Sequence, residues 1–324
     1  MLFARIILSA IALAASFTLP AHAQVYPAKS IRLIVPYPAG GGTDFFARAV
    51  GAQLSQQLGQ QVVVENRPGA ATIIGAEAVA KSAADGYTLL LGDTATFAVN
   101  PSLYKKLPYD PSKDLAPISM SGRFALLLVV NPAKLNVASV KDLVEEAKKA
   151  PGKFDYASPG PGSPHHLAME MFKQGTGVQV THVPYKGAAP AIQDLLSGQI
   201  PFMFLDLAAG APQIKAGKLR ALAVASEKRI AALPDLPTVG ESGVPGFEAW
   251  AWQALAVPIG TPREIVARLN AEFRKAVAVP ELRQKLIDAG IDPLQSSPED
   301  ASAYFRSETL KWAKVISDGR ITVE

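Results

Sequence analysis

The sequence contains no cysteine in its 324 residues. This absence excludes disulfide bonds, thiolate nucleophiles and zinc sites with cysteine ligands. The chain is long, and 49% of its residues are hydrophobic, so it can build a substantial core without cross-links. We expect two domains, because the length exceeds that of one typical domain.

Long apolar runs are missing after the first two dozen residues. No later segment reaches the roughly 20 apolar residues that span a bilayer. The exception, "IILSAIALAASFTLP", follows Arg5 and precedes "AHA", and this arrangement is typical of a secretory signal peptide. We predict a signal peptide over residues 1–23, cleavage after Ala23, and a soluble mature protein in the periplasm.

Clusters of basic residues are also absent. The chain has 32 Lys and Arg residues against 28 Asp and Glu residues, and the basic ones are scattered along it. Nucleic-acid binding is therefore not expected, because binding to phosphates requires concentrated positive charge.

Short apolar runs alternate with helical patterns through the first hundred mature residues. Strands rich in Val, Ile and Leu that alternate with helices indicate a parallel, doubly wound α/β unit. The predicted strands are 31–37, 61–67 and 87–93, and the predicted helices lie near 44–58 and 75–83.

The same alternation restarts after a proline-rich stretch, residues 100–119. It runs from "RFALLLVVNP" to "RALAVAS" and indicates a second α/β unit. The predicted helices of this unit lie near 139–150, 165–174, 190–197 and 208–216.

The pattern changes after residues 233–250. One strand, "WQALAVP", precedes helices that open at Pro262 and Pro280. We expect this tail to pack on the first unit, because one strand and a few helices do not easily form a core. The chain then crosses twice between units, which predicts a hinge and a cleft. The predicted lobes are residues 24–122 with 250–324, and residues 123–249.

Two glycine loops lie where each unit passes from a strand into a helix. They are "VPYPAGGGTDFFARAV" (35–50) and "FDYASPGPGSPHHLAMEMF" (154–172). Ligands of open α/β sheets bind beyond the carboxyl ends of strands, and free N–H groups at a helix start favour an anion. If the two loops face each other, one small anion contacts both.

Some residues of the first loop have alternative interpretations. Thr43 or Asp44 can cap the helix with no ligand present. The Asp44 carboxylate can itself occupy the helix N-terminus, or it can hold an amino group of a ligand.

Motifs for nucleotide binding are missing from both loops. Neither loop contains the Lys of GxxxxGK[ST], and neither completes GxGxxG, because Phe45 and His165 stand where a third glycine is needed. No cofactor is expected.

A metal site and a hydrolase are two alternative interpretations of the second loop. His166 and Glu170 lie four residues apart, but no HExxH motif accompanies them, so no metal is expected. Ser163, His166 and Asp206 can be written as a catalytic triad, although the sequence has no GxSxG motif. Helix capping is the ordinary explanation for Ser163, so we expect no enzymatic activity.

Three further features have both a structural and a ligand-binding interpretation. Asp206 ends an apolar strand and either faces the cleft or caps the following helix. In the cleft it would repel dianions or select a ligand with a hydrogen-bond donor at its far end. Tyr185 and Lys186 precede a helix, where a solvated lysine is the commoner outcome. For Trp250 and its aromatic neighbours we expect packing in the hinge or core.

Five segments together resemble the periplasmic substrate-binding proteins of the tripartite tricarboxylate transporter family, also called Bug proteins. They are "YPAKSIRLIVPYPAGGGTDFFAR", "VVVENRPGAATIIGAEAVAKSAADGYTLLLG", "NPSLYKKLPYDPSKDLAPIS", "HVPYKGAAPAIQDLLSGQIPFMF" and "GTPREIVARLN". The resemblance covers essentially the whole mature chain in order.

The resemblance implies a fold and a binding mode. The fold is an α/β, two-lobed, periplasmic-binding-protein (type II-like) clamshell, in which helices flank a doubly wound sheet in each lobe. In the family, main-chain groups of two loops and ordered waters hold a ligand carboxylate, and these loops correspond to residues 37–44 and 158–166. The segment "GDTATFAVNP" departs from the family pattern, because Ala95 makes this wall more apolar.

The expected ligand is a small organic acid or a related solute, such as a di- or tricarboxylate, an amino acid, an aromatic acid or an amide. Delivery to a two-component membrane permease is implied by the resemblance alone, and a sensor for a signalling partner is the alternative. A monomer is expected. The candidate ligand contacts are Tyr37, Ala39, Gly41, Gly42, Thr43, Asp44, Thr94, Ala95, Ser158, Gly162, Ser163, His166, Tyr185 and Asp206.

Overall fold

The first lobe begins with three parallel strands, of which β1 and β3 are almost entirely buried and β2 is mostly half-buried or exposed. A computed structural model describes residues 26–319 and 321–322, so the predicted cleavage after Ala23 lies outside the described residues. Strand β1 lies between β2 and β3, with Ile31 opposite Val62 and Arg32 opposite Thr88. The elements are β1 (Ile31–Val35), α1 (Gly42–Leu58), β2 (Val62–Asn66), α2 (Ile73–Ala80) and β3 (Thr88–Asp93).

The segment after β3 is helical before the next strand starts. A π-helical turn spans Ala95–Val99, and two short helices follow, α3 (Asn100–Leu103) and α4 (Pro111–Asp114). Strand β4 (Leu115–Val130) then begins inside the proline-rich stretch, eight residues before the predicted "RFALLLVVNP" run. The strand accommodates Pro117, which has no N–H to donate, because its register against its partner shifts between Pro117 and Ser119.

The second lobe continues the alternation of helices and short strands. Its elements are α5 (Val140–Lys149), β5 (Asp155–Ser158), α6 (Pro164–Thr176), β6 (Thr181–Pro184), α7 (Ala188–Ser197), β7 (Phe202–Asp206), α8 (Leu207–Lys215) and β8 (Arg220–Val224). Strands β5 and β6 are parallel, as are β5 and β7.

The tail forms one strand in the first lobe and then mostly helix. Its elements are β9 (Trp250–Pro258), α9 (Arg263–Ala278), α10 (Pro280–Asp288), β10 (Ile291–Pro293) and α11 (Pro298–Gly319). Strand β9 lies between β3 and β4, and β10 pairs with β4. This pairing is consistent with the expected packing of the tail on the first unit, and the lobe boundaries stay a prediction.

Strand β4 changes partners along its length. Its residues Leu115–Ala125 pair with β9, whereas Leu126–Val130 pair with β7. The resulting strand order is β2-β1-β3-β9-β4-β7-β5-β6, with β8 and β10 also pairing with β4. The change of partner therefore falls where β4 and β9 run antiparallel side by side, with Ala125 opposite Trp250. The fold is a two-lobed α/β clamshell.

Aromatic side chains fill the core where the tail meets the first lobe. Trp252 is 1% exposed and stacks on Phe97 and Phe305, with ring centroids 6.1 and 5.5 Å away. Its Nε1 donates to Glu308 of α11 at 2.8 Å. The expected packing role of these aromatic residues is confirmed for Trp252.

Among the described residues, none of the helices has the length and apolar character needed to cross a membrane.

Candidate functional site

The cleft between the lobes contains a small cavity of about 30 Å³, which is room for about two water molecules. Five of the predicted contacts line it: Tyr37, Gly41, Gly42, Thr43 and Asp206. The other lining residues are Pro38, Asp93, Phe124, Pro159, Pro164, His165, Ala188, Ala251 and Gln253. Residues from both lobes and from both crossing strands therefore surround one point.

The first glycine loop supplies the start of α1. Gly41 is the N-cap residue in an extended conformation, and no side chain caps the helix. The first N–H groups of a helix have no partner within it, so they are available to an anion in the cavity. Gly42 is closely packed: a Cβ atom there would lie 3.0 Å from Phe124 Cδ1 and 3.3 Å from Asp206 Cγ, so a side chain would press on both.

Asp44 stabilises the first glycine loop through hydrogen bonds within the first lobe. Its carboxylate accepts hydrogen bonds from the Gly40 N–H at 3.1 Å, from Arg48 Nε at 3.0 Å and from Asn66 Nδ2 at 2.9 Å. Burial opposes the charge, but the hydrogen bonds from Arg48 and Asn66 keep the pKa of Asp44 below its ordinary value. The carboxylate is thus engaged within the first lobe, which argues against its holding a ligand amino group.

Three more helices start at the same cavity. Pro164 begins α6, Ala188 begins α7, and Asp206 immediately precedes α8; all three line the cavity. Neither α7 nor α8 has a side-chain cap, whereas Ser163 caps α6 by accepting from the His166 N–H at 3.3 Å. Because each helix start carries a partial positive charge, four of them together favour a negative group.

A buried acid, Asp93, lines the cavity at the carboxyl end of β3. Its carboxylate accepts from Tyr37 Oη at 2.7 Å and from Thr96 Oγ1 at 2.9 Å. Burial raises the pKa of Asp93, and the hydrogen bonds from Tyr37 and Thr96 oppose that rise. The same burial, together with the neighbouring Asp93, raises the pKa of Tyr37. Asp93 is not among the predicted contacts, although its position at a strand end was a signal.

His165 and Asp206 meet in the second lobe's wall. His165 Nε2 lies 3.2 Å from Asp206 Oδ2, and both side chains are 9% exposed. Asp206 faces the cavity and does not cap α8 with its side chain. Of the two interpretations left open for Asp206, the structure therefore favours the cleft.

Gln253 forms part of the cavity wall from β9. Its Nε2 donates to the Thr43 hydroxyl, so Thr43 is tied to a crossing strand. Its Oε1 atom is buried without a hydrogen-bond partner within the described residues. Nothing in the local sequence distinguished Gln253 from an ordinary strand residue, because only the pairing of β9 beside β3 and β4 brings it to the cleft.

His166 lies behind the second loop, not in the cavity wall. Its Nδ1 accepts from the Gly162 N–H at 3.1 Å, and its ring stacks on His182 with centroids 4.0 Å apart. Burial lowers the pKa of His166 to about 4 and that of His182 to about 3. Both rings are therefore neutral at neutral pH, and the histidine of this helix that lines the cavity is His165.

The other predicted contacts of the second loop also support its shape. Ser158 Oγ accepts from the Gly160 N–H at 3.1 Å and lies 2.6 Å from His182 Nε2. Ser163 Oγ donates to the Gly160 carbonyl at 2.7 Å. Gly162 has a φ of +72°, and a Cβ there would lie 2.7 Å from Leu103 of the first lobe.

The arrangement does not form the hydrolase triad. The Ser163 hydroxyl is engaged in the loop, His166 Nδ1 accepts a main-chain N–H, and Asp206 contacts His165 instead. Among the described residues, no group of three or more His, Cys, Asp and Glu side chains is arranged to hold a metal ion.

Thr94, Ala95 and Ala39 lie outside the cavity wall. The Thr94 hydroxyl accepts from the Trp252 N–H at 3.2 Å, and Ala95 is buried in the π-helical turn. Ala39 is exposed on the first loop. A contact between these three residues and a ligand stays a prediction that the geometry does not favour.

A wider cleft of about 490 Å³ adjoins the cavity and shares Tyr37, Pro38 and Pro159 with it. Tyr185 and Lys186 line this outer cleft, and Tyr185 Oη donates to Asp194 at 2.6 Å. The opposite wall includes Ala70, Ala71 and Thr72, which have φ values of 45°, 50° and 75°. Three successive non-glycine residues in this region are strained, and such strain concentrates at ligand sites.

A clamshell with helix N-termini directed into the cleft defines the class of periplasmic solute-binding proteins. Residues 46–320 match the family described as "Tripartite tricarboxylate transporter family receptor", and the chain belongs to this family. Its members are solute-binding proteins and not enzymes.

Three solved structures are similar over nearly the whole chain. A protein of R. palustris solved with adipate is 39% identical, with a TM-score of 0.89 over 92% of this chain and 99% of that one. The periplasmic binding protein BugD is 34% identical, with a TM-score of 0.87 over 92% and 99%. MatC from Rhodopseudomonas palustris, with bound malate, is 31% identical, with a TM-score of 0.84 over 90% and 100%.

Proposed function

We propose that this protein captures a small carboxylate-bearing metabolite in its interlobe cleft and takes no part in catalysis. One observation carries the proposal: four helix starts converge on one cavity, and side chains cap neither α1 nor α7 nor α8. The relatives solved with adipate and malate support a carboxylate as the ligand.

Main-chain donors can supply the affinity without an arginine. A hydrogen bond to a charged group contributes about 1.5–3 kcal/mol, and micromolar binding needs about 8 kcal/mol. Four or five aligned N–H groups therefore suffice after the entropy losses of association, provided that the closed lobes exclude water. Closure is thus part of the binding free energy.

Entry of the ligand requires the lobes to separate. The cavity is small, and the two lobes contact each other where a Cβ on Gly187 would lie 2.7 Å from Pro38 Cγ. The lobe boundaries, residues 24–122 with 250–324 against 123–249, are part of this proposal, and the change of partners along β4 at Ala125 and Leu126 supports them. The ligand then biases a hinge motion by binding the closed form more tightly.

Delivery of the solute to a two-component membrane permease is the proposed purpose of capture. The family description, which names a transporter receptor, supports it. Export to the periplasm by the predicted leader, cleaved after Ala23, belongs to the same proposal. A sensor that presents its closed form to a signalling partner remains the alternative, and deletion of the permease genes separates the two, because only transport would then stop.

A thermal-shift screen followed by calorimetry tests the capture of a carboxylate. We expect at least one acid from a panel of mono-, di- and tricarboxylates, amino acids and aromatic acids to raise the unfolding temperature, because it binds only the folded state. Each acid is paired with its neutral amide as a control. Equal binding of an acid and its amide, or no binding of any acid, would contradict the proposal.

A further inference from the structure

Two buried side chains with unpaired polar atoms face the same cavity. His165 is 7% exposed and Gln253 is 2% exposed. Three of their atoms make no hydrogen bond within the described residues: Nδ1 and Nε2 of His165 and Oε1 of Gln253. Buried polar groups are normally paired, and an unpaired one costs free energy. A bound molecule that completes these hydrogen bonds would remove that cost.

Asp206 is the open acceptor beside them. Asp93, the other acid in the cavity, already accepts from Tyr37 and Thr96. Asp206 is 6% exposed and makes no hydrogen bond within the described residues; His165 Nε2, at 3.2 Å, is its close polar neighbour. Asp206 is therefore a buried acid in the cavity wall, whose carboxyl oxygens can accept a hydrogen bond from a ligand.

The open acceptor stands next to the open donors. Asp206 Cγ lies 3.3 Å from the point where a Cβ on Gly42 would be, at the uncapped start of α1. The uncapped start of α1 and the Asp206 carboxyl group are therefore neighbours in the cavity wall. A ligand that carries an acceptor and a donor on adjacent carbons can bind to both.

We infer that Asp206, positioned by His165, selects a hydrogen-bond donor on the carbon next to the bound carboxylate, so that the ligand is a 2-hydroxy or a 2-amino acid. This inference rests on the proposed capture of a carboxylate. The carboxylate accepts from the N–H groups of α1, and the hydroxyl or ammonium group donates to Asp206.

An unsubstituted acid is a poorer match for the same cavity. It brings acceptors only, and it places its negative charge beside Asp206 with no donor between the two. No Lys or Arg side chain lines the cavity to offset that repulsion in the part of the chain described. The hydroxyl or ammonium group supplies the missing donor, and the ammonium group also supplies a positive charge.

Calorimetry with matched acids tests the inference on the chain from residue 24 onward. The pairs are propionate with lactate, succinate with malate, and glutarate with 2-hydroxyglutarate; alanine, aspartate and glutamate form the amino arm. We expect the substituted acid of the best-binding length to bind about tenfold more tightly or better, as for a hydrogen bond to a charged acceptor. If the hydroxy acids bind more tightly than the amino acids, the donor is a hydroxyl group; if the amino acids bind more tightly, it is an ammonium group.

Two variants test which residues cause the preference for the substituted acid. Asp206→Asn should reduce the preference to within about threefold, because the variant loses both the charged acceptor for the donor and the negative charge that repels the unsubstituted acid. His165→Gln should reduce the preference less. Asp318→Asn changes an exposed acid on α11, 57% exposed, and should leave the preference unchanged.

Each outcome has a distinct meaning. If acids bind the wild type but the paired acids bind equally, the inference is wrong and carboxylate capture stands. If the preference persists in Asp206→Asn, Asp206 does not select the donor, and the inference is wrong. If no acid binds the wild type, both proposals are wrong. Should Asp206→Asn fail to fold by circular dichroism, the wild-type ratio and His165→Gln decide the question.

Discussion

Gly42 is the residue at which backbone approach matters most. A Cβ there would lie 3.0 Å from the Phe124 ring and 3.3 Å from Asp206, whereas a Cβ on Gly41 would meet only Ala188, at 4.0 Å. We expect Gly42→Val to abolish ligand binding and to lower stability by about 1–3 kcal/mol, as overpacking does. Calorimetry and urea unfolding measure the two effects.

Gly41→Ala is the matched control for this variant. It should keep the stability of the wild type and most of its affinity, because its Cβ finds ordinary contact distances. If Gly42→Val binds the ligand with unchanged affinity, the first loop does not contact the ligand.

Neighbouring histidines have different roles because successive helix residues point about 100° apart. The triad pattern drew attention to His166, yet His165 faces the cavity and His166 stacks on His182. A sequence shows that a helix starts near Pro164, but not which side of its first turn faces the other lobe. That choice depends on contacts with strands far away in the chain.

The stability of the protein should fall in acid because His166 is buried as a neutral ring. Burial lowers its pKa to about 4, against about 6.5 in an unfolded chain. The contribution of the neutral ring is therefore complete above pH of about 6.5 and is lost as the pH falls towards the folded value, with a slope of up to about 1.4 kcal/mol per pH unit.

His166→Gln tests this dependence. Glutamine can still accept from the Gly162 N–H, but it does not titrate, so we expect lower stability at neutral pH and a shallower decrease in acid. Urea midpoints measured across this range for both proteins give the two slopes. Equal slopes would show that His166 does not contribute to acid sensitivity.

Strands and helices were predicted well wherever local patterns determine them. Strand β1 and helix α1 follow from the apolar run and the glycines before Asp44. The start of β4 was missed, because Pro117 argues against a strand and only the register shift opposite β9 accommodates it. The π-helical turn at Ala95–Val99 was missed as well, since no local sequence rule specifies one.

Helix α11 is anchored by one buried acid. Glu308 is 8% exposed and accepts from Trp252 Nε1 at 2.8 Å and from Trp312 Nε1 at 3.0 Å. Glu308→Ala leaves two buried indole N–H groups unpaired, so we expect a loss of about 2–4 kcal/mol in the free energy of unfolding. Glu299→Ala, an exposed change in the same helix, should cost little, and comparable losses in the two variants would contradict the anchoring role.

The cavity as a whole was only partly accessible from the sequence. The two glycine loops were identified because each lies between a strand and a helix. Asp93, His165 and Gln253 were not, since they come from three separate elements that meet only after β9 inserts between β3 and β4. A site made between lobes depends on long-range pairing, which local patterns do not encode.

The absence of cysteine makes the hinge motion directly testable. Gly41 and Ala188 face each other across the cleft, and a Cβ on Gly41 would lie 4.0 Å from the Ala188 Cβ, within the range of about 3.5–4.5 Å found between Cβ atoms of disulfides. The double variant Gly41→Cys/Ala188→Cys should therefore form an interlobe disulfide on oxidation and hold the lobes closed. Ligand added after oxidation should not bind, and ligand added before it should not leave.

Reduction of the same sample should restore exchange, which separates locking from damage to the site. The single variants Gly41→Cys and Ala188→Cys, treated with the same oxidant, should exchange ligand as fast as the double variant does after its disulfide has been reduced. Dialysis with a labelled acid measures retention, and titration of free thiols measures bond formation. If the fully oxidised double variant exchanges ligand as fast as the reduced one, the lobes do not need to separate, and the hinge mechanism is wrong.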